Sequence, residues 1–139
     1  MIQKVRKGEE LDEVNIKKYL YKNQFITDKN SELIIEQFSN GFSNLTYLLK
    51  IEKKELVLRC PPNGAVKYGH DMSREFKVLK GLNKGFEKAP KAHLFTNDID
   101  IIGAPFYIME KIEGIILSRK EANNRNICAE DYQKIACNW

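Results

Sequence analysis

Two charged residues in this sequence sit where apolar ones are expected. Arg59 lies near the end of the run Leu56-Val57-Leu58-Arg59-Cys60, which reads as a buried strand. Strict alternation puts Leu56 and Leu58 on one face of that strand, and Val57 and Arg59 on the other. Glu75 falls three residues after Met72 and four before Leu79, within the apolar stripe of a helical pattern. An unpaired charge in such a place is costly or becomes neutralised, so each needs a partner. Pairing Arg59 with Glu75 across a helix–sheet contact satisfies both. The plain alternative is that both side chains snorkel to the rim and meet water.

A third stretch bears on that choice. Ser39, Asn40, Ser43, Asn44 and Thr46 crowd hydroxyls and amides around Gly41, where the backbone can approach a ligand closely. Alone, Asn40-Gly41 reads as a type I′ hairpin turn. Lying over the face that carries Arg59, the same turn makes an anion pocket, with backbone N–H groups above and a guanidinium below. With Arg59 and Glu75 added, the phosphate reading becomes the better one. Further along, Phe106 to Gly114 (FYIMEKIEG) runs from an apolar strand into alternating charges and a glycine. It is either a linker or a connector whose backbone groups hydrogen-bond a flat heterocycle such as adenine.

The elements that must position these residues follow from periodicity. Leu11, Val14, Ile16 and Leu20 recur at helical spacing behind an acidic start, and Asn23 closes that helix. Glu32 to Phe38, Thr46 to Ile51 and Leu56 to Cys60 form a three-stranded meander, its second turn being Glu52-Lys53-Lys54-Glu55 and its end Pro61-Pro62. Asp71 to Leu82 is the clearest helix, with Asp71 as N-cap and Met72, Phe76, Leu79 and Leu82 on one stripe. Ala92 to Phe95, Ile99 to Ile102 and Phe106 to Met109 read as further strands, Ser118 to Asn126 as a short polar helix plus loop, and Ala129 as the start of another helix. The fold class is α+β: a five-stranded antiparallel sheet with a helix packed on one face.

Composition sets bounds. The chain has 139 residues, 42% hydrophobic and 30% charged, which suits one globular domain. The net charge of +4 comes from scattered basic residues interleaved with acids, so no nucleic-acid partner is expected. No apolar run is long enough to span a membrane, and the polar N-terminus does not read as a signal peptide. Cys60, Cys128 and Cys137 form no CxxC and suggest unpaired thiols in a reducing cytoplasm. His70 and His93 lack partners at metal-ligand spacing, so no metal site is expected here.

Four stretches in order, VRKGEELDEVNIKKYL, FSNGFSNLTYLL with VLRCPPNG, GHDMSREFKVLKGL and IIGAPFYIMEKIEG, cover most of Val5 to Gly114. Together the sequence resembles the N-terminal lobe of the protein-kinase-like fold in its aminoglycoside phosphotransferase and choline-kinase branch. Its nearest likeness is to the phosphotransferase-like domain that some proteins join to acyl-CoA dehydrogenase modules. The resemblance implies a helical extension over residues 1–30, the lobe over 31–114 and the start of a second lobe over 115–139.

The resemblance also implies roles. Asn40, Gly41, Ser43 and Asn44 form the loop over the phosphates of ATP. Arg59 stands where most kinases place a lysine, keeping the charge while changing its geometry to a fork. Glu75 orients it, Val57 roofs the adenine, and Met109 backs that pocket. The Glu110 carbonyl and Ile112 amide then read the base edge. His70 is expected to cap or order the loop before the helix, or to contact a phosphate.

No His-Gly-Asp triplet occurs in the sequence, and Asp131 is the one aspartate after Gly114. By that resemblance the catalytic aspartate, its asparagine and the Mg²⁺ ligands belong to a second lobe, and this chain alone is expected to be inert. The expected function is the nucleotide-binding lobe of a small-molecule kinase whose acceptor is a hydroxyl compound. The alternative is a non-catalytic interaction module that keeps the lobe fold. Either leaves an inter-lobe face through which the chain could self-associate.

Overall fold

The computed structural model of the chain describes residues 2–39, 44–62 and 72–113. Within them lie strands β1 (Ile2–Gln3), β2 (Ile34–Phe38), β3 (Leu45–Ile51), β4 (Lys54–Cys60), β5 (Ala92–Thr96) and β6 (Phe106–Glu110), with helices α1 (Glu13–Lys22) and α2 (Met72–Leu82). The strands make one antiparallel sheet in the order β1-β2-β3-β4-β6-β5. The α+β class holds, with six strands rather than five. Asp71, His70, the loop residues Asn40, Gly41 and Ser43, and everything after Glu113 lie outside the described residues.

Two differences from the sequence reading have physical causes. Ile99 to Ile102 is not a strand. Asp98 accepts a hydrogen bond from the Asp100 amide at 2.9 Å, and the Gly103 amide closes a turn onto the Ile99 carbonyl at 2.8 Å. An aspartate two residues upstream curls the chain before it can extend. The added strand is Ile2–Gln3, paired with Phe38 and Gln37 at the sheet edge, too short to leave a periodic signal.

Helix α1 starts where Asp12 caps the Asn15 amide at 3.0 Å, and it ends where the Asn23 side chain donates to the Tyr19 carbonyl at 2.8 Å. Its buried face, Ile16 and Leu20, packs on one face of the sheet, where Tyr47, Leu49, Leu56, Leu58, Phe106 and Ile108 make the main core. Helix α2 lies on the opposite face, against β5 and β6. The sheet is therefore covered on both faces, not one. Of the α2 stripe only Met72 is fully buried; Leu82 is exposed.

The N-terminal segment is stitched to this core by polar groups. Gln37 is fully buried, and its amide both accepts from the Arg6 backbone at 2.9 Å and donates to Glu9 at 2.6 Å. Tyr47 donates to the Glu9 carbonyl at 2.7 Å from beneath the same segment. A buried amide satisfied at both ends specifies where the segment lies, since any other placement strands it.

The β3–β4 turn is set by a carboxylate. Glu52 and Lys53 take φ of +48° and +65°, the backbone of a two-residue type I′ turn, without the glycine or asparagine that usually fills it. This shortens the expected four-residue connector. Glu52 offsets the strain by accepting from the Thr27 amide at 3.0 Å, the Thr27 hydroxyl at 2.8 Å, the Asp28 amide at 3.2 Å and the Ser31 hydroxyl at 2.8 Å. The Thr27 amide above all, working against partial burial, holds this carboxyl down at about 2, from an ordinary 4.5. A depressed acid adds stability above its unfolded pKa, and that stability disappears as pH falls through the folded one. Urea unfolding of the wild type should weaken between pH 4.5 and about 2, and Glu52→Gln should flatten that part of the curve. An unchanged acid limb in the variant would show that Glu52 is not what sets it.

Candidate functional site

The face under α2 is built by the register of three strands. Arg59 on β4 stands between Thr46 of β3 and Tyr107 of β6; Val57 stands between Leu48 and Met109. Leu48 and Val57 are buried, so the middle of this face is apolar and its end toward α2 is cationic. α2 adds Glu75 from its first turn, where a carboxylate also suits the helix dipole. A cleft of about 400 Å³ opens between α2 and β6, lined by Arg59, Glu75, Leu79, Tyr107 and Met109 among others.

Glu75 is the hub of the polar end. Its Oε1 accepts from the Asn44 amide at 2.8 Å, and its Oε2 accepts from the Tyr107 hydroxyl at 2.9 Å. The nearest guanidinium nitrogen of Arg59 is 3.7 Å from Oε1, an ion pair but not a hydrogen bond. The Arg59 Nε is buried and has no hydrogen-bond partner among the described residues. The Tyr107 hydroxyl is pushed above its ordinary range by burial first and also by the Glu75 carboxylate, with the charge and side-chain contact of Arg59 acting in the opposite direction, so it remains a donor that lies between the two.

The sequence-selected residues divide accordingly. Asn44, Arg59 and Glu75 come together, and Val57 and Met109 share their face. Asn44, expected in a phosphate loop, has its amide on Glu75. Glu110 and Ile112 follow Met109 at the end of β6, where Glu110 binds the Lys91 backbone through both amide and carboxylate, at 2.9 and 3.1 Å, and Ile112 is exposed. That exit is flanked by a row of alternating charges: Lys50 meets Glu36 at 2.6 Å, and Lys111 meets Glu55 at 2.7 Å and Glu113 at 2.8 Å. Tyr107 was not selected from the sequence. The signal was available, because Tyr107 precedes Met109 by two residues and so shares its face.

Comparisons with known proteins give the family and the fold. Residues 34–136 match the phosphotransferase enzyme family. The chain is 35% identical over 113 residues to acyl-CoA dehydrogenase family member 10 of Mus musculus, covering 81% of this chain and 10% of that protein. It is 36% identical over 101 residues to acyl-CoA dehydrogenase family member 11 of Homo sapiens, covering 69% and 13%. The chain thus spans only a small part of these relatives. A crystal structure assigned as an aminoglycoside phosphotransferase from Ralstonia eutropha JMP134 superposes with a TM-score of 0.60 at 28% identity, covering 78% of this chain and 30% of that one.

The Glu75 cluster should be measurable as stability. Glu75→Ala strips the acceptor from Asn44 and Tyr107 and removes the nearest acid from Arg59. We expect a loss of roughly 1–2 kcal/mol in urea unfolding, the low end because the site is partly open to water. A variant as stable as the wild type would mean that water replaces the carboxylate at no cost.

Proposed function

The chain belongs to the phosphotransferase enzyme family, and we propose that within it these residues form the ATP-binding part of a kinase for a small hydroxyl compound. One observation carries the reading: a buried arginine nitrogen, at the end of an apolar sheet face, that has no hydrogen-bond partner among the described residues. A buried donor left unpaired is costly, and an ordered water, an ion or a ligand can meet its need. An arginine is well matched to phosphate, because its planar fork offers parallel N–H groups.

The residues fit a nucleotide by chemistry. Arg59 would contact phosphate oxygens, with Asn40, Gly41, Ser43 and Asn44 closing over them and Glu75 orienting the guanidinium. Leu48 and Val57 would roof the base, Met109 would close the back of its pocket, and the Glu110 carbonyl and Ile112 amide would read its edge. Mg²⁺ would neutralise charge on the phosphates, and its ligands, like the aspartate that aligns the acceptor hydroxyl, are assigned to residues other than these 139. By this reading the chain binds nucleotide weakly by itself and transfers nothing.

A second reading keeps the fold and drops the reaction: an interaction module, self-associating or partner-bound. It is favoured by α2, which exposes Val78 and Leu82. Calorimetric titration with Mg·ATP separates the two. The kinase reading expects a saturable signal with a dissociation constant on the order of millimolar, lost in Arg59→Glu. An isotherm unaffected by Arg59→Glu would remove Arg59 from the site, and no heat from the wild type would favour the module.

A further inference from the structure

The position of Arg59 relative to Glu75 is unusual for an arginine beside a carboxylate. Such pairs frequently close to forked hydrogen bonds of about 2.7–2.9 Å. Here the closest approach is 3.7 Å. The carboxylate is instead taken by two neutral donors, one from each side of β4. Asn44, just before β3, holds Oε1 at 2.8 Å, and Tyr107 on β6, directly across from Arg59, holds Oε2 at 2.9 Å. Glu75 is thereby tied to both strands that flank Arg59 while standing off from Arg59 itself.

We infer that Tyr107 and Asn44 are positioning residues that occupy Glu75 with neutral hydrogen bonds and so keep the Arg59 guanidinium available to an anionic ligand. The inference rests on the nucleotide reading for the identity of that ligand, a polyphosphate, but not for the clamp. Remove the Tyr107 hydroxyl, and Oε2 loses its donor at a site where an unfilled acceptor is costly. The nearest replacement is the guanidinium, whose Nε has no partner among the described residues. Arg59 and Glu75 then close on one another, and a ligand must break that pair before it can bind. Asn44 acts in the same sense from the other side.

The test has a ligand-free part and a ligand part, both on the 139-residue chain. In ¹⁵N NMR the side-chain Nε–H resonance of Arg59 should move downfield in Tyr107→Phe, as expected of a new bond to a carboxylate. It should stay at its wild-type position in the double variant Tyr107→Phe/Glu75→Gln. Asn44→Leu should move it in the same direction as Tyr107→Phe. In titrations with Mg·ATP, Tyr107→Phe should weaken binding about tenfold in the wild-type background and leave it unchanged in the Glu75→Gln background, the non-additivity expected of residues that act through one another. An Arg59 resonance unmoved in both Tyr107→Phe and Asn44→Leu overturns the clamp. So does an equal loss of affinity in both backgrounds, which would mean that Tyr107 acts on the ligand or the fold directly. A shifted resonance in a chain that binds no Mg·ATP at all counts against the nucleotide reading and supports the clamp.

Discussion

The carboxylate of Glu75 joins α2 to the two strands on either side of Arg59, and the character of the whole face depends on it. Through Tyr107 it reaches β6, through Asn44 it reaches the start of β3, and it sets the Arg59 charge at 3.7 Å without closing on it. Helix α2 is also held by Phe76, whose ring stacks on Phe95 at 5.7 Å and lies 6.0 Å from Tyr107, and by Asn83 just past its end, which bonds the Pro90 carbonyl and the Ala92 amide at 2.8 Å each. Among its apolar residues only Met72 is fully buried, and Val78 and Leu82 face solvent. The stacking of Phe76 and the hydrogen bonds of Glu75 together set its register on the sheet.

The opposite face is built on different terms. Tyr47, Leu49, Leu58, Phe106 and Ile108 pack against Ile16 and Leu20 of α1, and the Gln37 amide and Tyr47 hydroxyl find partners within the protein. Gln37 and Glu9 tie down the N-terminal segment, and Glu52 secures the β3–β4 turn. Cys60 belongs to this side as a buried free thiol, its pKa pushed up to about 12 by burial. One face thus gives the sheet its rigidity. The other carries the charge, the cleft and the buried Arg59 nitrogen that has no partner among the described residues.

Much of this was legible in the sequence because it follows from short periods. Alternation in Leu56 to Cys60 separated Arg59 from the core face, and the three- and four-residue spacings around Glu75 aimed it at the sheet. The meander, α1 with its Asn23 end and α2 emerged for the same reason. What was not legible depends on contacts distant in sequence or on local polar chemistry. Ile99 to Ile102 has the composition of a strand, but Asp98 turns it. Glu52-Lys53 lacks the usual turn residues, and its conformation is held by Thr27 and Ser31 from another loop. Tyr107 looks like one more apolar strand residue until its hydroxyl is seen on Glu75. The looseness of the Arg59–Glu75 pair could not be read either, because pattern assigns partners to charges and says nothing of which donors reach the carboxylate first.

The account makes the Arg59 face the ligand face of this sheet, and amide chemical-shift mapping with Mg·ATP tests that most directly. It predicts perturbations concentrated on Asn44, Val57, Arg59, Tyr107 and Met109, with Tyr47, Leu58 and the α1 residues Ile16 and Leu20 unmoved. Shifts centred on the α1 side, or spread evenly over both faces, would contradict it.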